Sequence, residues 1–297
     1  MPNLNLRERL IDPRSPDRRP RRAAYALPTL FTAGNIFLGF AAIVESFLGA
    51  VAYKTGHPAS QHFTNAARAI GWAILLDGLD GRIARMTNTV SEFGKEMDSL
   101  ADVITFGLAP AVLAWAWGMQ MVVMPDDLPL VAQHLPGVGI FSAFLFLLCG
   151  SLRLARFNVQ HNPIPKNPGK PDRKYFVGMA IPAGAGVLAA IVYFLDGDPL
   201  RIWVQMAAWC ALLIFEAFLM VSTWRYPSFK EINLLRPRSP LSYIAVAVML
   251  YAFWNFSQLV LLAVTVGYML TGILIRLGGV ARRRFRPSPP PPVQQTS

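Results

Sequence analysis

Apolar residues recur in long blocks along the chain, separated by short polar or proline-rich stretches. Blocks lie near 28–50, 66–87, 92–118, 138–158, 175–195, 202–223, 241–256 and 258–275. Most are close to the ~20 apolar residues an α-helix needs to cross a hydrocarbon core. Only helices and closed barrels satisfy their backbone polar groups in lipid, and these blocks lack the strict alternation of barrel strands. The pattern predicts an all-α integral membrane fold with about eight transmembrane helices.

The polar stretches differ in charge. Residues 1–26 carry Arg7, Arg9, Arg14, Arg18, Arg19, Arg21 and Arg22 among prolines and read as a flexible basic arm. Segments 159–174 and 225–240 are basic as well, and the tail 276–297 is basic, proline-rich and expected to be disordered. The remaining connections are poor in Lys and Arg. Eight crossings with both termini cytoplasmic put all four basic segments on one side, as the positive-inside rule requires. The transmembrane domain is therefore expected over 27–275, and a bacterial-type inner (cytoplasmic) membrane is the expected location. No apolar run ending in a cleavage site precedes the first block, which is expected to stay as an anchor.

Composition fits this picture. The chain is 54% hydrophobic and 15% charged, with a net charge of +11; soluble domains average about 25% charged residues. The excess positive charge sits in loops facing anionic lipid, and no basic and aromatic soluble domain is left to bind nucleic acid. Cys149 and Cys210 fall inside apolar blocks and read as small packing residues, with no disulfide expected.

One polar stretch interrupts the apolar pattern. Asp77–Asp102 holds six of the seventeen acidic residues. On a helix, Asp77, Asp80, Gly81, Ala84 and Arg85 share an arc of roughly 140°. Gly94, Asp98 and Asp102 form an i, i+4 stripe on the next helix. Four carboxylates at one place call for a cation between them. Aspartates on two rigid helices could hold two divalent ions, Mg²⁺ or Mn²⁺, poised for phosphoryl transfer. Gly81 and Gly94 would let a substrate approach the backbone, and Arg85 could pair with a phosphate. The loop charges place this site at the cytoplasmic ends of helices 2 and 3. Glu92, Lys95 and Glu96 read as a solvated first turn.

The spacing Asp77-x2-Asp80-Gly81-x2-Ala84-Arg85-x8-Gly94-x3-Asp98-x3-Asp102 resembles, without a gap, the signature of the CDP-alcohol phosphatidyltransferases. That resemblance implies two divalent metals and displacement of CMP from a CDP-linked lipid by an alcohol. It implies Asp77, Asp80 and Asp98 as metal ligands. Asp102 lies by the metals and would be the general base. It also implies Gly81, Arg85 and Ser91 as CDP-contacting positions, with Ala84 and Gly94 in the same motif, and a homodimer. The segments LPTLFTAGNIFLGF, SEFGKEMDSLADVITFGLAPA, LRLARFN, GMAIPAGAG and STWRYPSFK resemble the membrane-embedded phosphatidylserine synthase branch, over about residues 27–240. Thr105 stands where that branch often has Ser.

The resemblance implies CDP-diacylglycerol as donor and L-serine as acceptor. Serine's carboxylate needs a cationic partner, for which Arg153, Arg156, Lys230 and Arg225 are candidates, each also readable as a membrane-surface anchor. Asn35 could contact the nucleotide or bond between helices, and Asn158 is open in the same way. Glycerol 3-phosphate, inositol or choline are alternative acceptors. An intramembrane prenyltransferase would need a second distant Asp-rich motif, which is absent. A cation-binding transporter would use further ionisable residues in the spans, where Glu45 and Glu216 are the candidates.

Overall fold

The computed structural model describes residues 22–87, 92–125, 133–160, 175–227, 251 and 255–284. The chain is helical: α1 (Arg22–Lys54), α2 (Ser60–Thr87), α3 (Glu92–Asp102), a π-helical turn (Val103–Leu108), α4 (Ala109–Gly118), α5 (Leu135–Gln160), α6 (Ile181–Phe194), α7 (Trp203–Val221) and α8 (Ser257–Arg284). Two three-residue strands, β1 (Tyr175–Val177) and β2 (Arg225–Pro227), pair antiparallel. Among the described residues, five helical stretches are long and apolar enough to cross a membrane: Leu30–Lys54, Phe93–Gly118, Leu135–Val159, Trp203–Val221 and Ser257–Gly278. The protein is a multi-pass membrane protein.

Two further helices, with the seventh block almost wholly outside the described residues, account for the difference from eight. α2 has the length, but its aspartates and arginines lower its apolar character. α6 is apolar but has 14 residues, about 21 Å of helix against a ~30 Å core. The block expected at 175–195 is shortened because its first residues pair with β2 instead of extending the helix. Other boundaries also move. α1 begins at Arg22, inside the stretch read as a flexible arm, and α8 continues to Arg284, inside the stretch read as tail. The seventh block lies almost wholly outside the described residues.

α1 and α2 form an antiparallel hairpin, and α1 also lies against α3, the π turn and α4. α6 sits among α2, α8, the π turn and α4, with Gly184, Ala185, Gly186, Ala189 and Ala190 buried. Small residues let helix backbones come close in lipid, where packing replaces the hydrophobic effect. α6 ends at a tight turn with Asp196 at φ 53° and Gly197 at φ 71°. Gly197 lies against the Ser60 carbonyl at the start of α2, where a Cβ would clash. α8 runs antiparallel to α6: Ser257 and Gln258 bond to Tyr193, while Gly272, further along, lies under the Tyr226 ring of β2.

The π turn is the element that shapes the site. It follows Asp102 directly, and the Ala109 N–H reaches back five residues to the Ile104 carbonyl. Pro110 cannot donate to the carbonyl four residues earlier and crowds it, so the wider turn relieves a clash in a helix that must continue. Thr105 is fully buried there and donates to the Asn35 carbonyl of α1 at 3.1 Å. Gly39 makes room: a Cβ on it would sit 2.6 Å from Thr105 Oγ1 and 2.8 Å from its Cα. Gly39→Ala is expected to destabilise the protein by about 1–3 kcal/mol, read as a lower unfolding midpoint in detergent. An unchanged midpoint would show that α1 and the π turn can separate at no cost.

Candidate active site

The aspartates converge. One carboxylate oxygen from each of Asp77, Asp98 and Asp102 lies within 4.8 Å of the others, and all three side chains are half-buried. Asp98 and Asp102 share a face of α3 one turn apart, and Asp77 faces them from α2. This is the group among the described residues that could hold a metal ion. Its donors are all carboxylate oxygens, which suits a hard cation such as Mg²⁺ or Mn²⁺ over a thiophilic one. Of Asp80, Gly81, Ala84 and Arg85 only the backbone on α2 is described, and Ser91 lies outside the described residues.

The cluster lies within the last three turns of α2 and the first three of α3. Asp77 is ten residues before Thr87, and Asp98 and Asp102 are six and ten after Glu92, so α2 runs on past the cluster by about 15 Å and α3 by about 9 Å. The loop-charge argument locates which ends of the helices face the basic segments, but not how far along them the carboxylates sit.

α1 closes the site from one side. A Cβ on Gly34 would touch Leu76, the neighbour of Asp77, at 3.0 Å. Asn35 is 2% exposed and bonded through its carbonyl to Thr105, one turn beyond Asp102. Its side-chain Oδ1 is buried with no hydrogen-bond partner among the described residues. A buried amide oxygen left unpaired costs about 1–3 kcal/mol, so a donor from a ligand is the natural way to satisfy it. Gly34 beside Leu76 and the Asn35 carbonyl bonded to Thr105 place this part of α1 within a turn of Asp77 and of Asp102 along their helices.

α5 closes the other side. Asn158 donates to Ser99 Oγ at 2.8 Å, fastening the end of α5 along α3. Asn158 thus joins helices. Arg153 is half-buried, lies over the Phe157 ring at 5.6 Å and is within electrostatic reach of Asp102 and of Tyr268 on α8. Arg156 is exposed. Lys230 lies outside the described residues, as does the Arg225 side chain.

Residues 25–224 match the family model described as CDP-alcohol phosphatidyltransferase, about two thirds of the chain. The protein belongs to the CDP-alcohol phosphatidyltransferase family. Within that family it is 34% identical over 220 residues to the CDP-diacylglycerol–serine O-phosphatidyltransferase of Helicobacter pylori, covering 72% of this chain and 77% of that protein. It is 33% identical over 205 residues to the enzyme of the same name from Bacillus subtilis, covering 69% of this chain and 92% of that one. It is 32% identical over 205 residues to the archaetidylserine synthase of Methanothermobacter thermautotrophicus, covering 68% and 70%.

Two tyrosines where β2 meets α8 carry no signal in the sequence. Tyr226 lies within STWRYPSFK, whose spacing assigns it no role. It is fully buried against α8, its hydroxyl donating to the Met269 carbonyl at 3.4 Å. Burial, with lesser contributions from Tyr268 and Glu216, pushes its phenol up to about 12, so it stays a neutral donor. Tyr268 sits in an apolar block with no local signal. Its ring centroid lies 5.5 Å from that of Tyr226.

Proposed function

We propose that the protein transfers the phosphatidyl group of CDP-diacylglycerol to L-serine, giving phosphatidylserine and CMP. The observation that carries this reading is the meeting of Asp77, Asp98 and Asp102 on the scaffold of a family whose similar members are named for serine. The archaeal relative's name changes the lipid and keeps serine, so the names agree more closely on acceptor than on lipid anchor.

Two divalent cations held by Asp77, Asp80, Asp98 and Asp102 would neutralise the diphosphate and the charge that builds on the CMP leaving oxygen. The chain's own groups do the rest. Gly81 and Gly94 leave room for the CDP moiety. Ala84, Arg85, Ser91 and the Asn35 amide flank it. The serine hydroxyl forms the new bond to the β-phosphorus as the bond from that phosphorus to the CMP oxygen breaks. A hydroxyl is a weak nucleophile near pH 7, and the Asp102 carboxylate takes its proton. Arg153 holds the serine carboxylate, with Arg156 and Lys230 as further cationic candidates.

The active protein is proposed to be a homodimer in the inner membrane, with eight crossings and both termini cytoplasmic. Eight crossings rest on the apolar blocks and the charge asymmetry of the loops. β2 lies beside Met269–Gly272, about halfway along α8, whereas Ser257, at the start of α8, lies beside Tyr193.

A transporter reading is not favoured. Glu45 accepts from or pairs with His62 at 2.7 Å near the α1–α2 turn, and Glu216 is buried next to Tyr226. Neither contributes to the carboxylate cluster. The test is release of labelled CMP by purified protein with CDP-diacylglycerol and, in parallel, serine, glycerol 3-phosphate or inositol. Serine-dependent release is expected. Release with another alcohol alone would move the acceptor, and none with any alcohol would end the enzyme reading.

A further inference from the structure

Arg68 is a cation set apart from the basic segments. It lies on α2, eight residues after Ser60 and so about 12 Å along the helix axis. That end of the bundle carries the α1–α2 turn and the α6–α7 turn, where Gly197 meets the Ser60 carbonyl. Segments 159–174 and 225–240 follow α5 and α7, whose ends are joined through β1 and β2 at the other end.

The Arg68 side chain is exposed but not loose. Its guanidinium carbon lies over the Tyr193 ring of α6, 5.2 Å from the centroid. Tyr193 is itself fixed by α8: its hydroxyl bonds to Ser257 Oγ at 3.2 Å, and Gln258 donates to its carbonyl at 3.1 Å. Three helices therefore hold one guanidinium. A ring face attracts the charge but accepts no strong hydrogen bond, so N–H donors remain for an acceptor. Among the described residues no carboxylate forms an ion pair with Arg68, and Asp196, the acid of the adjoining turn, accepts from Gln258.

The same face of α2 continues as apolar surface. Trp72, Leu75 and Leu79 share an arc of about 60° with Arg68 and are 65%, 54% and 49% exposed. Asp77 is nine residues from Arg68, about half a turn round the helix, so this stripe faces away from the carboxylate cluster. A fixed guanidinium above an indole and two leucines has the two-part form of a phospholipid, an anionic head and an apolar chain. A cation on a membrane-facing surface is costly unless an anion meets it.

We propose that Arg68, held by Tyr193, binds the phosphate of a net-anionic membrane phospholipid whose acyl chain lies along Trp72, Leu75 and Leu79. The site is separate from the catalytic one, and a lipid bound there reinforces the junction of α2, α6 and α8.

The experiment titrates delipidated full-length protein in detergent with phosphatidylglycerol and reads the unfolding midpoint. Diacylglycerol, which has the chains but no phosphate, is titrated beside it. Phosphatidylglycerol is expected to raise the midpoint of the unaltered protein and diacylglycerol to leave it in place. Arg68→Gln is expected to weaken the apparent affinity for phosphatidylglycerol about tenfold. Tyr193→Leu, which removes the ring under the guanidinium, is expected to weaken it as well. Calorimetric Mn²⁺ binding should be unchanged in Arg68→Gln, which keeps the effect apart from the aspartate cluster. Full stabilisation of Arg68→Gln by phosphatidylglycerol would place the lipid elsewhere and overturn the proposal. Equal stabilisation of the unaltered protein by diacylglycerol would leave the phosphate no role and overturn it too. A shift of Arg68→Gln toward monomer in size exclusion, with the lipid response retained, would give this face to a second copy of the chain instead.

Discussion

Asp102→Asn is expected to lower kcat by about 10²–10⁴-fold, the usual worth of a positioned general base, with little change in the binding of CDP-lipid or Mn²⁺. The substitution keeps an oxygen at the same point in space, so the geometry shared with Asp77 and Asp98 persists. What it removes is basicity, since an amide oxygen cannot take the hydroxyl proton of serine. Single-turnover CMP release beside calorimetric Mn²⁺ binding separates the two effects. Strong residual turnover would take the base role from Asp102. Lost metal binding would reassign the residue to ligation alone.

Asp98→Ala is expected to lower activity at least about 100-fold and to weaken Mn²⁺ binding measured without substrate. Asp98 is one of the three described carboxylates whose oxygens meet within 4.8 Å, and alanine offers no oxygen at all. Loss of a charged ligand also leaves the remaining carboxylates to repel one another in a half-buried setting. Titrating Mn²⁺ by calorimetry gives a readout independent of catalysis. An unchanged titration would show that Asp98 does not ligate, whatever its effect on rate. Together the variants divide the cluster into a position where oxygen suffices and one where the ligand itself is required.

Neither variant touches the acceptor side, and there the sequence offered only basic residues near the ends of apolar blocks. Arg153, Arg156 and Lys230 were equal on that ground. The fold distinguishes Arg153, which is half-buried near Asp102, from Arg156, which is exposed. Asn35 and Asn158 looked alike as polar residues in apolar surroundings. One presents a buried amide oxygen on the stretch of α1 beside Leu76 and Thr105; the other fastens α5 to Ser99.

What the sequence by itself determined is what depends on local spacing and on transfer between water and lipid. The helical class follows from apolar block length, and the meeting of Asp98 with Asp102 follows from four residues per turn. Approach of Asp77 to them needed only two helices joined by a short turn. Tertiary structure decided what depends on contacts distant in the chain. The block at 175–195 shortened because Tyr175–Val177 found a partner some fifty residues later, at Arg225–Pro227. The apolar spacing of 92–118 reads as one even helix, yet a π turn follows Asp102, where Thr105 bonds to Asn35 and Gly39 gives it space. Tyr268 carries no signal of its own in an apolar block. Only the docking of Gly272 under Tyr226 sets its ring against that of Tyr226.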